Sequence, residues 1–183
     1  PKIKFAIDFF ICCWKGSARY YAWLAFLGFL SLVFLFGLYD QYVNGLILTN
    51  MNDQVSWGLY ESNFIFLVGV AAAAVTVVFP AYVYHHKQLK SMVVIGEMVA
   101  ITAVTMVMMF ILLHMGRMDR FWHLIPIIGI FNFPHSMLQW DVVVLNGYLL
   151  LNAVCAFYYL YKKYTDQHTN EKFYMPLVYI SIV

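Results

Sequence analysis

The sequence predicts an all-α fold, a polytopic bundle of transmembrane helices, and three observations support this prediction. Of the 183 residues, 63% are hydrophobic and only 11% are charged, whereas soluble domains are about 45–50% apolar and about 25% charged. The mean hydropathy is +0.74. The apolar residues also form runs of about 20, the length that a helix needs to cross the hydrocarbon core of a bilayer. The chain is therefore predicted to be an integral membrane protein.

The first segment, residues 1–19, is predicted to lie at the cytoplasmic surface of the membrane. Lys2, Lys4 and Asp8 are interspersed there with Phe5 and Phe9, a mixture that is typical of a short helix lying at an interface. A soluble amphipathic tail explains the same pattern equally well. Residues 20–183 are predicted to form the transmembrane helical domain.

Four full spans and the start of a fifth are predicted in this domain. Within the second run, the small residues from Gly69 to Ala74 would allow close packing of helices. Because apolar residues continue to Val183, the chain is expected to be about the N-terminal half of a longer polypeptide. The four runs cover about Tyr20–Tyr39, Asn63–Tyr84, Met92–His114 and Trp140–Tyr161, and the fifth begins near Tyr174.

The distribution of positive charge predicts a cytoplasmic N-terminus. Only Arg117 and Arg120 lie on the other side of the predicted spans, and the connection from Asp40 to Ser62 has no lysine or arginine. By the positive-inside rule, the loops around residues 50 and 125 face outward, across the cell inner membrane. The basic residues assigned to the inside are Lys2, Lys4, Lys15, Arg19, Lys87, Lys90, Lys162, Lys163 and Lys172.

The composition argues against several classes of protein and of site. The basic residues are scattered along the chain, so nucleic-acid binding is not expected. The cysteines Cys12, Cys13 and Cys155 lack the spacing of an iron–sulfur cluster or a zinc site, and no metal site is predicted. The histidines lie at the ends of the predicted spans, where no facing pair could ligate a haem at mid-membrane depth.

Polar residues collect at the predicted outer ends of three spans, where polar groups are expensive to desolvate unless they pair or bind a ligand. Oxidation of a quinol requires proton acceptors such as His114 and Asp141 within an apolar, partly aromatic pocket. An alternative for Asp141 is a helix N-cap that pairs with Arg117 or Arg120. The residues sharing this face are Trp57, Tyr60, Glu61, Asn63, His114, Arg117, Asp141 and, with a weaker placement, His135.

Glu97 lies inside the cytoplasmic end of the third predicted span, within an apolar stretch. A carboxyl group at that depth is expected to be protonated, hydrogen-bonded or part of a proton path. The sequence leaves two interpretations open, a structural hydrogen bond between helices and proton transfer.

Several segments resemble the NrfD/PsrC family of membrane subunits. Val55–Tyr60 followed by Asn63–Gly69 is similar to the family's second-helix signature, and His114-Met-Gly-Arg117 is similar to its motif at the end of the third helix. Trp140–Asn152 and Ile95-Gly-Glu97 are closest to the DsrP (HmeB) subgroup of the DsrMKJOP complex. The resemblance covers about residues 50–183. One departure is Met118, where many relatives have proline.

This resemblance implies a membrane subunit without haem or an iron–sulfur cluster of its own. Such a subunit exchanges electrons between menaquinone and a partner iron–sulfur subunit, and a multihaem cytochrome c is a further partner of DsrP-type complexes. The family's motifs imply that His114 and Asp141 are catalytic. They also imply that Arg117, Tyr60 and Asn63 bind quinone, near the outer face.

A second class of function fits the same composition. A membrane anchor for partner subunits would need no quinone site, and a transporter would use a site near the bilayer midplane, usually between broken helices. The sequence shows no such broken helix or inverted repeat, so the quinone-linked oxidoreductase subunit is the favoured interpretation.

Overall fold

The computed structural model describes residues 2–83, 90–125, 127–130, 132–167, 173, 176, 177, 179 and 180. All regular structure in this part of the chain is helical, which confirms the predicted all-α class. The five α-helices are α1 (Lys2–Trp14), α2 (Ala18–Asn44), α3 (Leu59–Val83), α4 (Lys90–His114) and α5 (Met137–Tyr164), and short 3-10 helices cover Leu46–Thr49 and Met118–Leu124.

The helices divide into two compact units, residues 1–50 and residues 51–183. In the first unit, α1 and α2 are joined by a short connection. The hydroxyl groups of Tyr20 and Tyr21 donate hydrogen bonds to the carbonyls of Cys13 and Trp14, at 2.5 and 2.8 Å. The predicted N-terminal helix is confirmed as a helix, because residues Lys2–Trp14 are helical. Its position at a membrane surface stays a prediction.

Three described helices are long and apolar enough to cross a membrane, namely Ala18–Asn44, Val93–His114 and Met137–Tyr164. They correspond to the first, third and fourth predicted spans. The second predicted span corresponds to α3, whose apolar segment within the described residues is the shorter stretch Leu59–Ala74. Tyr84, where that span was predicted to end, and most of the predicted fifth span lie outside the described residues.

Two of these helices extend further than the hydrophobic runs predict. Helix α2 continues past Tyr39 to Asn44 and ends at Gly45, whose φ of 78° is a conformation that suits glycine. Helix α5 begins at Met137, three residues before the predicted start, with Ser136 as its N-cap residue. Hydropathy detects the apolar part of a helix, whereas the helix itself continues through polar residues to a suitable cap.

In the second unit, α4 packs against both α3 and α5. Six of its buried residues recur every three or four positions and so form one stripe, which Ala103 and Leu113 widen: Val93, Glu97, Ala100, Val104, Val107 and Ile111. The small side chain of Ala71 on α3 and the side chain of Leu145 on α5 complete the core cluster. The prediction that the small residues of the second span serve helix packing is confirmed, since Ala71 and Ala74 are both buried.

Specific contacts set the relative positions of the three helices. The Tyr148 hydroxyl of α5 donates a hydrogen bond of 3.1 Å to the carbonyl of Ala71 on α3. The rings of Tyr60 on α3 and Phe110 on α4 lie with centroids 6.2 Å apart. The start of α3, the end of α4 and the start of α5 therefore lie at one end of the unit. We call this the His114 end.

Candidate functional site

The end of α4 is formed by the sequence His114-Met-Gly-Arg117. Gly116 has a φ of 72°, which a residue with a side chain rarely adopts, and this left-handed conformation follows the end of the helix at His114. The amide of Met115 still donates to the carbonyl of Ile111 at 3.1 Å, so the last turn remains intact. The histidine is thus held on a regular turn of helix, directly before the residues Met115 and Gly116 that end it.

His114 faces a carboxylate from the neighbouring helix. Its Nε2 atom lies 3.9 Å from Oε2 of Glu61, in the first turn of α3. The side chains of His114 and Glu61 are 39% and 24% exposed, so the pair is partly shielded from its surroundings. When the proton of a neutral imidazole is on Nε2, toward this carboxylate, the other ring nitrogen Nδ1 is a hydrogen-bond acceptor. The pair thus combines a carboxylate with an imidazole, two groups that can take part in proton transfer.

Aromatic and apolar side chains lie at the same end of the unit as this pair. Tyr60 directly precedes Glu61, and its ring lies 6.2 Å from that of Phe110, one turn before His114. Phe64, Met115 and Leu138 pack against the hydrophobic cluster at the same end. An apolar, partly aromatic wall beside an acid–base pair is the combination that a small aromatic substrate requires. Tyr60 and His114 thus lie at the same end of the unit, and their participation in one site stays a prediction.

Two other predicted site residues use their polar groups locally. The Asn63 side chain donates a hydrogen bond of 2.8 Å to the carbonyl of Leu59, one turn earlier in its own helix. Arg117 forms an ion pair with Asp119 at 3.5 Å, and both side chains of this pair are exposed. Both residues lie at the His114 end, but neither is in a polar contact with His114 within the described part of the chain.

Asp141 differs from its predicted position in two ways. It is not in the first turn of its helix and is not the N-cap, because α5 already begins at Met137 after Ser136. Any stabilisation by the helix dipole is correspondingly weaker, since that effect is confined to the first turn. The predicted alternative of a salt bridge with Arg117 or Arg120 is also not observed among the described residues. The Asp141 side chain is exposed.

Gln139 is a polar residue at this end that the sequence interpretation missed. It is 5% exposed, and its Nε2 donates a 3.3 Å hydrogen bond to the carbonyl of Ile130 in the preceding loop. It precedes Trp140-Asp141 in a stretch that was predicted to be a loop, so its place in the first turn of α5 was not predicted. Glu61 was predicted to lie on this face, but its contact with His114 was not.

Glu97 lies toward the opposite end of α4, about 25 Å from His114 at about 1.5 Å of rise per residue. It is 2% exposed, on the same buried stripe as Val104 and Val107. The buried Cys155 of α5 is close enough to Glu97 for the charges of the two side chains to interact. Thr102 and Thr105, which follow it in sequence, are exposed and bond to carbonyls of their own helix. They do not extend a polar path from Glu97.

Comparison with known proteins identifies the family. The family described as "Polysulphide reductase, NrfD" matches residues 47–182, which is most of the chain. The chain belongs to the NrfD family. This confirms the predicted family and the predicted class of polytopic helical membrane protein.

Two curated relatives of this NrfD-family chain are named as subunits of reductases. A selenate reductase subunit of Mesobacillus selenatarsenatis is 25% identical over 149 residues, which is 80% of this chain and 33% of that protein. A putative membrane subunit of dimethyl sulfoxide reductase from Halobacterium salinarum is 27% identical over 131 residues, which is 72% of this chain and 29% of that protein. The chain thus spans about a third of the length of these relatives.

No solved structure matches the chain. The similarity to DsrP-type subunits in particular stays a prediction, because the two relatives carry the names of other reductases.

Proposed function

We propose that this chain supplies the quinone-binding site of a multi-subunit respiratory oxidoreductase in the cell inner membrane. In this proposal it exchanges electrons between menaquinone and a partner iron–sulfur subunit, and a multihaem cytochrome c is a further partner. The positive-inside rule places the N-terminus in the cytoplasm and the His114 end at the periplasmic face. The family membership and the two relatives named as reductase subunits support this assignment.

The observation that carries the proposal is the contact between His114 and Glu61 beside the Tyr60 and Phe110 rings. A membrane anchor needs no acid–base pair between two of its helices, and such groups are costly near lipid. A quinol site needs both an acid–base pair and an apolar aromatic wall, because the ring is apolar and its hydroxyl groups lose protons. The His114 end provides both.

The chemistry of the site follows from the balance of the reaction. Oxidation of a quinol to a quinone releases two electrons and two protons. In the proposal, His114 takes one proton from a quinol hydroxyl, Glu61 stabilises the resulting imidazolium, and Asp141 takes the second proton. The two electrons pass to the partner iron–sulfur subunit, since this chain is proposed to have no redox centre of its own. Reduction of a quinone would use the same groups in reverse.

The remaining predicted residues complete the binding site in this proposal. Tyr60 lines the ring pocket, Asn63 lies on the next turn of α3, and Arg117 adds positive charge at the rim. Because the Asn63 and Arg117 side chains already have local partners, their contribution to quinone binding is expected to be smaller than that of His114.

The test of this function is oxidation of a water-soluble naphthoquinol by the purified membrane complex in sealed vesicles. The complex is expected to oxidise the naphthoquinol, reduce its iron–sulfur partner and release protons on the side of the His114 end. A complex that assembles but neither binds nor oxidises the naphthoquinol would show that the chain is an anchor. Movement of a solute without quinol turnover would indicate a transporter.

The same vesicles test the proposed proton path through Glu97. A buried carboxyl group near the cytoplasmic end of α4 can carry protons toward the site only if it exchanges them. In the proposal, protons that cross the membrane in addition to the two released by the quinol enter through Glu97, so the Glu97→Gln variant is expected to oxidise naphthoquinol normally while losing proton uptake from the cytoplasmic side. Unchanged proton uptake would assign Glu97 to helix packing instead.

A further inference from the structure

The Oε1 atom of Gln139 is buried and accepts no hydrogen bond within the described part of the chain. The other polar atom of this amide is occupied, since Nε2 donates to the carbonyl of Ile130. That bond fixes the orientation of the amide, because turning the amide over to place its NH₂ group where Oε1 lies would break the bond to Ile130. Buried acceptors without a partner are rare in native proteins and call for an explanation.

A second buried atom without a hydrogen-bond partner in the described part of the chain also lies at the His114 end. The Nδ1 atom of His114 has no hydrogen bond within the described residues, although Nε2 of the same ring faces Glu61. His114 is the last residue of α4, and Gln139 is the third residue of α5. Met115 and Leu138, their immediate neighbours in sequence, pack against the same hydrophobic cluster. The two atoms therefore lie where α4 and α5 adjoin.

The two atoms have the same hydrogen-bonding character. A neutral histidine with its proton on Nε2, toward the Glu61 carboxylate, presents a lone pair on Nδ1. Gln139 Oε1 is likewise an acceptor. A quinol hydroxyl can donate to either atom, whereas a quinone carbonyl oxygen can donate to neither. Two buried acceptors are thus complementary to the reduced form of the substrate.

We propose that Gln139 is a further quinol-binding residue which, together with His114, makes the site bind quinol more tightly than quinone. This inference rests on the proposed function and adds to it the preferred redox state of the substrate. A site that favours quinol in this way is arranged to take up quinol and to release the quinone formed from it.

The test measures the dissociation constants of a water-soluble naphthoquinol and the matching naphthoquinone for the purified complex. The Gln139→Leu variant removes the acceptor and retains a side chain of similar size. Its affinity for naphthoquinol is expected to fall about three- to tenfold, the usual effect of one lost hydrogen bond, while its affinity for naphthoquinone is unchanged. Gln54→Leu, an exposed glutamine in the connection before α3, is the matched control.

The ratio of the two dissociation constants separates binding from folding. A variant that merely disturbs the loop at Ile130 would weaken both forms by the same factor, and this outcome would overturn the inference. If the Gln139→Leu variant bound both forms as tightly as the wild type, the inference would also be overturned, while the proposed quinol site itself would stand. If the wild-type complex binds neither form, the proposed function fails as well.

Discussion

The His114→Gln variant is expected to lower kcat for naphthoquinol oxidation about a hundredfold in an assembled complex. A positioned general base contributes about 10²- to 10⁴-fold to a rate, and glutamine cannot accept a proton at neutral pH. The neighbouring Glu61 carboxylate, 3.9 Å from His114 Nε2, would also lose the imidazole that it faces. Steady-state oxidation of naphthoquinol by the purified complex measures this effect.

The matched control for this variant is His123→Gln. His123 is exposed on the 3-10 helix after α4 and its ring stacks on Trp122 with centroids 3.8 Å apart. This control is expected to retain normal turnover. If both variants retained normal turnover while the complex remained assembled, His114 would not be the proton acceptor.

The Asp141→Asn variant is expected to abolish quinol oxidation, a loss of at least about a hundredfold, while the complex still assembles. The substitution keeps the shape of the side chain and removes the group proposed to take the second proton. Because the side chain is exposed and its carboxylate has no ion pair within the described residues, its replacement is not expected to disturb the packing of α5. The assay is the same naphthoquinol oxidation, with assembly followed by gel filtration.

The control for this variant is Asp40→Asn, an exposed aspartate near the end of α2. Its carboxylate accepts a hydrogen bond of 2.7 Å from Asn44, which the asparagine amide oxygen can also accept. Normal turnover is expected. Normal turnover of Asp141→Asn itself would remove Asp141 from the proposed site.

Much of the fold was predictable because long apolar runs have few alternatives to membrane-spanning helices. The sequence also predicted that Tyr60 and His114 lie at one end, since successive spans alternate in direction. It did not predict how each helix is rotated about its axis. Helix α4 is apolar on nearly all sides, so no periodic pattern marks the face that holds Val104, Val107 and Glu97.

The same physical reason explains the parts of the site that were missed. The contact between Glu61 and His114 depends on the rotation of α3 and α4, which their apolar sequences do not specify. Gln139 and Asp141 were misplaced because the start of α5 was located by hydropathy at Trp140. The helix begins instead after the polar residue Ser136, and this shift puts Gln139 in its first turn and Asp141 in its second.

The most direct test of the central claim is photolabelling of the purified complex with an azido-naphthoquinone, followed by peptide mapping. If the quinone site lies at the His114 end, the label is expected on peptides that contain residues 57–64, 110–117 and 137–141. An excess of unlabelled naphthoquinol should prevent this labelling. Competed labelling found only on other subunits, or only on peptides from the opposite ends of α3 and α4, would contradict the proposed site.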